Sequence, residues 1–160
     1  GLTAFGVFRP EVSMVVSTIN AVKEGLRIKT SVGGIARYTN DYYHQVSNDI
    51  EQVPGNPWFI CTLWLAEYEI MRAGNLTELN NTLPLLEWVV DKALPSGVLA
   101  EQVDPYTGTP LSVSPLTWSH AAFVTTLIKY MKKRERLMVC PECGNSEFYM
   151  HRHVQKPWNT

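Results

Sequence analysis

The stretch Gly55-Asn56-Pro57-Trp58-Phe59-Ile60-Cys61-Thr62-Leu63-Trp64-Leu65-Ala66-Glu67-Tyr68-Glu69-Ile70-Met71-Arg72-Ala73-Gly74 decides the fold class. It predicts a helix from Pro57 to Ala73. Asn56 is a favourable N-cap, Pro57 suits the first helical position, Arg72 lies in the last turn and Gly74 suits the residue just past the end. Trp58, Phe59, Ile60, Leu63, Trp64, Leu65, Tyr68, Ile70 and Met71 leave this helix apolar nearly all round. A helix without a solvated face must be covered on both sides. The expectation is therefore an all-α fold with helices in two layers.

Outward from this segment, Pro10 and Glu11 mark a helix start, and Val12, Val15, Val16, Ile19 and Val22 recur at helical spacing up to Gly25. Residues 26–55 are less regular, with turn chemistry at Gly33-Gly34, Thr39-Asn40-Asp41 and Pro54-Gly55 and a short helix expected around 41–51. A further helix is predicted from Thr77 to Ala93, with Pro84 starting or kinking its second part. The last long helix begins near Ser114-Pro115 and ends in Lys132, Lys133, Arg134 and Arg136, a basic end that complements the helix dipole.

The 160 residues suit one domain plus an appendage, split here as 1–136 and 137–160. Apolar residues at 45% and charged residues at 18% exclude a disordered chain or a highly charged coiled coil. Fourteen Lys and Arg against 15 Asp and Glu leave a net charge of −1, so no overall basic field points to nucleic acid or a membrane surface. No apolar run reaches the ~20 residues of a membrane helix. Three cysteines are too few for a secreted disulfide scaffold. A cytoplasmic protein is expected, and an N-terminus at Gly1 rather than Met is read as processed, tagged or truncated.

Between the last two helices, residues 94–114 form a loop of about twenty residues, a length that is usually functional or disordered. It holds Glu101-Gln102, Asp104, Tyr106 and Ser112. A glutamate in such a loop is a candidate general acid or base, or simply a solvated carboxylate.

Three blocks carry a resemblance. The first is Gly34-Ile35-Ala36-Arg37-Tyr38 with Asp41 and Tyr43, and the second is Gly55 through Leu63. The third runs from Leu99-Ala100-Glu101-Gln102-Val103-Asp104 through Gly108 and Leu111-Ser112 to Leu116-Thr117-Trp118-Ser119-His120-Ala121. In this order, over residues 5–134, the chain resembles the C-terminal half of the catalytic domain of glucoamylase-type enzymes, glycoside hydrolase family 15. The resemblance implies the second half of an (α/α)₆ toroid, with residues 57–73 as an inner helix. It also implies hydrolysis of α-linked glucosides with inversion, by an acid that protonates the leaving oxygen and a base that deprotonates water. Glu101 matches the general base, and Ser112 a hydroxyl that orients it. Arg37 and Asp41 match residues that bind sugar hydroxyls, while Trp58 and Trp118 match aromatics of the pocket wall or are ordinary core tryptophans. Trp64 and Trp88 are assigned to the core.

The family's general acid belongs to the half that precedes these blocks. Glu67 and Glu69 fall where the family places packing residues. The implied chain carries one of two catalytic carboxylates and about half a toroid, inactive alone, with either the missing half or a second copy as partner. A second reading is a noncatalytic binding or regulatory module, because glucoamylase-like domains also occur as regulatory parts of phosphorylase kinase.

Beyond the resemblance, Cys140-Pro141-Glu142-Cys143-Gly144 is a zinc-knuckle pattern, and His151 and His153 are alternate residues that share one face of a strand. The tail is read as a small hairpin in which Cys140, Cys143, His151 and His153 hold a structural zinc. A redox-active or disulfide Cys pair and a metal-free tail are the other readings. Cys61, on an apolar helix, is read as an inert core thiol.

Overall fold

A computed structural model describes Gly1 and residues 3–139. Its architecture is all-α: α1 (Ser13–Gly25), α2 (Phe59–Arg72), α3 (Leu76–Asn80), α4 (Leu83–Asp91) and α5 (Thr117–Leu137), with a two-residue hairpin of β1 (Gln102–Val103) and β2 (Pro110–Leu111) between α4 and α5.

Helix α2 is the axis of the core. Phe59, Ile60, Leu63 and Trp58 pack with Leu86 and Val89 of α4, Ala122 of α5, and Leu99, Ala100 and Val103 of the loop between them. Burial on both sides is what its all-round apolar sequence requires. Each such side chain contributes roughly 1.5–3 kcal/mol by leaving water, so Leu63→Ala, at a position with no exposure, belongs among core truncations costing ~2–5 kcal/mol. A second cluster at the C-terminal end of α2 joins Ile70, Ala73 and Leu79. There α5 is tied to α2 by polar contacts as well. Glu67 of α2 meets Lys129 Nζ at 2.6 Å and Thr126 Oγ1 at 3.2 Å, and Lys133 Nζ donates to the Met71 carbonyl at 3.1 Å. The basic end of α5 thus serves partly to satisfy a carbonyl that the end of α2 leaves free.

Helices α1 and α5 begin at Ser13 and Thr117, a few residues past the starts read at Pro10-Glu11 and Ser114-Pro115, and three further readings differ for local reasons. Helix α2 begins at Phe59, two residues late, with Trp58 at the cap position and no side-chain cap. Asn56 is instead spent on tertiary contacts, and Pro57 and Trp58 are extended because they pair with Ala36 and Gln102. The helix predicted over 77–93 is two. Asn75 caps α3 by accepting from the Glu78 N–H, Thr82 turns back to bond the Leu79 carbonyl, and Pro84 falls in the first turn of α4, where its missing N–H is harmless. Residues 41–51 form turns, not a helix. The side chains of Asp41 and Asp49 accept from backbone N–H groups two and three residues on, and Asn40 and His44 take left-handed φ values of 59° and 55°.

What replaces regular strands is a ladder of extended pieces, each one or two residues wide. Arg27 pairs with Ile35, Ala36 with Pro57, Trp58 with Gln102, and β1 with β2. Neighbouring pieces of such a ladder lie roughly 4.8 Å apart. Arg37, Trp58, Glu101 and Ser112 each lie in, or directly beside, one of these pieces.

Candidate active site

Glu101 immediately precedes β1 and Ser112 immediately follows β2. The register Gln102↔Leu111 therefore brings the two together across the open end of the hairpin. The Ser112 hydroxyl donates to Glu101 Oε2 at 2.5 Å, and the Tyr43 phenol lies 3.4 Å from the same hydroxyl. Ser112 has a φ of 63°, in the left-handed region that a residue with a Cβ seldom adopts. The backbone of Glu101 is held on both sides: its N–H donates to the Val113 carbonyl at 2.9 Å, and its carbonyl accepts from the Phe59 N–H at 3.3 Å. Gln102, fully buried, lies with its amide 3.5 Å from Glu101 Oε2 and accepts from Asn56 Nδ2 at 3.0 Å.

Arg37 forms the second feature. Its guanidinium grips Asp41 with two hydrogen bonds of 2.8 Å, and Asp41 also accepts from the Tyr43 N–H at 3.1 Å. Burial acts to raise the Asp41 carboxyl, but the bonds from Arg37 and Tyr43 outweigh it and hold the group below its ordinary range. The same hydrogen bond raises the Arg37 guanidinium above its own ordinary value.

The guanidinium carbon also stands 4.3 Å from the ring centre of Trp58, 4.9 Å from that of Tyr38 and 5.5 Å from that of Tyr43, within cation–π range of all three. Tyr43 and Trp58 are themselves 6.3 Å apart. Trp58 is only 3% exposed, and its Nε1 has no partner among the described residues. An orphaned buried donor costs about 1–3 kcal/mol.

Of the residues singled out in the sequence, Glu101, Ser112, Arg37, Asp41 and Trp58 are thus linked through Tyr43, which bridges the carboxylate and the guanidinium. Trp118 joins that group by no hydrogen bond, ring pair or cation–π contact among the described residues. It is 48% exposed and meets Trp64 edge-on at 5.7 Å. Trp88 is a core residue as expected, with its Nε1 bonded to the Val32 carbonyl at 2.7 Å. Burial pushes the thiol of Cys61, a partly buried side chain of α2, up to about 12, away from the thiolate form.

Sequence reasoning quoted Tyr43 without giving it a task, and it missed Gln102 and Asn56 as supports. The signal for Tyr43 was its position two residues past Asp41, in the turn that Asp41 itself closes.

Neither Glu67 nor Glu69 is free for acid chemistry. The Glu67 oxygens are taken by Lys129 and Thr126 inside the core, and Glu69 pairs with Lys23. Cys140, Cys143, His151 and His153 lie outside the described residues. Among the described residues no cluster of three or more His, Cys, Asp or Glu could hold a metal, and no helix is long and apolar enough to cross a membrane.

The family described as Glycosyl hydrolases family 15 matches residues 5–128. The chain is 33% identical over 119 residues to an uncharacterised glycosyl hydrolase of Methanocaldococcus jannaschii, covering 69% of this chain and 17% of that protein. It is 30% identical over 128 residues to a glucoamylase of a Clostridium species, covering 77% of this chain and 17% of the relative. Among solved structures, a bacterial glucoamylase complexed with acarbose superposes with a TM-score of 0.68 at 26% identity, over 82% of this chain and 19% of the other. The chain therefore spans about a fifth of the length of these relatives.

Proposed function

The chain belongs to glycosyl hydrolase family 15, and on that footing we propose that it supplies the general-base side of an inverting α-glucoside hydrolase of glucoamylase, glucodextranase or trehalase type. One observation carries the reading: the 2.5 Å bond from Ser112 to Glu101 Oε2. It fixes the carboxylate rotamer through one oxygen. Oε1 receives no hydrogen bond from the described residues, so it is open to accept a proton from water.

In this reading the two carboxyl groups of an inverting site stand ~6.5–9.5 Å apart with water and sugar between them. The water attacks the anomeric carbon from the face opposite the leaving oxygen, and Glu101 takes its proton as the new C–O bond forms. The acid that protonates the leaving oxygen comes from outside these residues, as the part of a toroid completed by another segment would require.

Arg37, its guanidinium fixed by the buried Asp41, keeps exposed N–H donors that suit sugar hydroxyls. The Tyr43 ring, 40% exposed, offers an apolar face to the C–H side of a pyranose, while Trp58, 3% exposed, backs the Arg37 guanidinium.

The test is the active enzyme, this chain together with the segment that supplies the acid, assayed on linear and branched α-glucans and on trehalose. Glu101→Gln should lower kcat by ~10²–10⁴ with a modest change in KM. Retained turnover in Glu101→Gln would remove the base role, and glucan binding without any turnover in the parent would favour a noncatalytic module instead.

A further inference from the structure

The backbone around Glu101 can be accounted for group by group, and the account ends on a residue with no part in the reaction described above. The Leu99 carbonyl accepts from the Leu116 N–H at 3.0 Å, and the Ala100 carbonyl from Ser119 Oγ at 2.7 Å. Glu101 is held through Val113 and Phe59. The Leu99 N–H donates to His120 Nε2 at 3.0 Å.

Leu99, Ala100 and Ser119 are all buried, so each of these groups needs its protein partner. Three of the partners, Leu116, Ser119 and His120, stand at or within the first turn of α5 (Thr117–Leu137).

We infer that His120 is a positioning residue for Glu101, holding the segment Leu99–Glu101 in place by accepting the Leu99 N–H. The inference rests on the general-base reading. An N–H donor demands an unprotonated acceptor nitrogen, so the ring is the neutral tautomer with its hydrogen on Nδ1. Glu101 lies two residues, roughly 7 Å of extended chain, from the anchored amide. Loss of the anchor loosens the near end of the segment, which Leu116 and Ser119 still hold through carbonyls, while Ser112 still holds the carboxylate, so the base stays present but shifts. A displacement of about 1 Å in a catalytic group can cost up to ~10² in rate.

The active enzyme should be compared with His120→Phe, which has no acceptor, and His120→Gln, whose amide oxygen can accept the same N–H. His120→Phe should lower kcat about tenfold, with KM changed less than about twofold, and should speed hydrogen exchange at the Leu99 amide. His120→Gln should recover most of the rate and of the protection. Unchanged kcat in His120→Phe, or equal losses in the two variants, overturns the inference. Should His120→Phe fail to fold, His120→Met makes the same comparison with Gln. Glu101→Gln, measured alongside, separates the two claims. If it stays active the base reading fails, whereas an inactive Glu101→Gln beside a fully active His120→Phe removes only the role of His120.

Discussion

Ser112 reaches Glu101 from a left-handed backbone conformation, φ 63°, and closes a 2.5 Å hydrogen bond to the carboxylate. A side chain held at positive φ typically costs ~1–3 kcal/mol. Glycine would remove that cost and alanine would not. Ser112→Gly should therefore raise the denaturation midpoint relative to Ser112→Ala, while both lower kcat to a similar extent. Urea titrations paired with steady-state kinetics check this, and equal stability of the two variants would show that the backbone at 112 is unstrained.

The Arg37–Asp41 clamp makes stability depend on pH with a definite sign. Asp41 titrates below the ordinary carboxylate value of about 3.9. Its contribution is then fully present above that value and is lost as pH falls through the lowered one. Asp41→Asn should lower Tm at pH 7, and the difference from the parent should shrink as pH drops below about 4. Melting curves from pH 7 to pH 2 measure it. A Tm difference independent of pH would mean that the clamp acts by shape alone.

Glu67 and Lys129 form a buried pair between α2 and α5, with the carboxylate side chain 4% exposed and the ammonium side chain 33% exposed. Removing one partner of a buried pair costs ~3–5 kcal/mol, and the partial exposure of Lys129 places this case toward or below the low end. Lys129→Met should cost about 2–3 kcal/mol in denaturant unfolding, and adding Glu67→Leu should recover most of it, because an apolar pair of like volume no longer strands a charge. No recovery in the double variant would show that the loss came from the Lys129 stem packing instead.

These relationships differ in how far the sequence displays them. The interior helix was legible because its signals are dense: apolar residues on every face between Pro57 and Gly74. Its first residue was not, because Asn56, a good cap by type, is drawn away by His44 and Gln102 from segments distant in sequence. The ladder that collects Arg37, Trp58, Glu101 and Ser112 left no trace, since single-residue pairs have no periodicity to read. Glu101 and Ser112 were found through family resemblance. The contacts of Tyr43 and His120 leave no local sequence signal, because both bond to residues far along the chain.

Gly34 tests whether the ladder is as tightly packed as it is narrow. Residues 33 and 34 read as a turn from sequence, and Gly34 indeed has a φ of 91°. The glycine also has a second reason. A Cβ there would stand 2.7 Å from the Trp88 ring and 2.8 Å from Pro57 Cβ, closer than any real contact. Trp88 cannot swing away cheaply, because its Nε1 is bonded to the Val32 carbonyl and its ring packs against Phe59 at 5.3 Å. Moving Pro57 would drag Trp58, and with it the face beside Arg37. Gly34→Ala should therefore cost more than the ~1–3 kcal/mol of backbone strain alone, and it should weaken activity in the protein that remains folded. Gly33→Ala, also at positive φ but with only ordinary contacts to Trp88 at 3.9–4.0 Å, should show the strain without the added loss. Denaturant unfolding of the two variants side by side gives the difference, and equal destabilisation would mean that Trp88 and Pro57 yield after all.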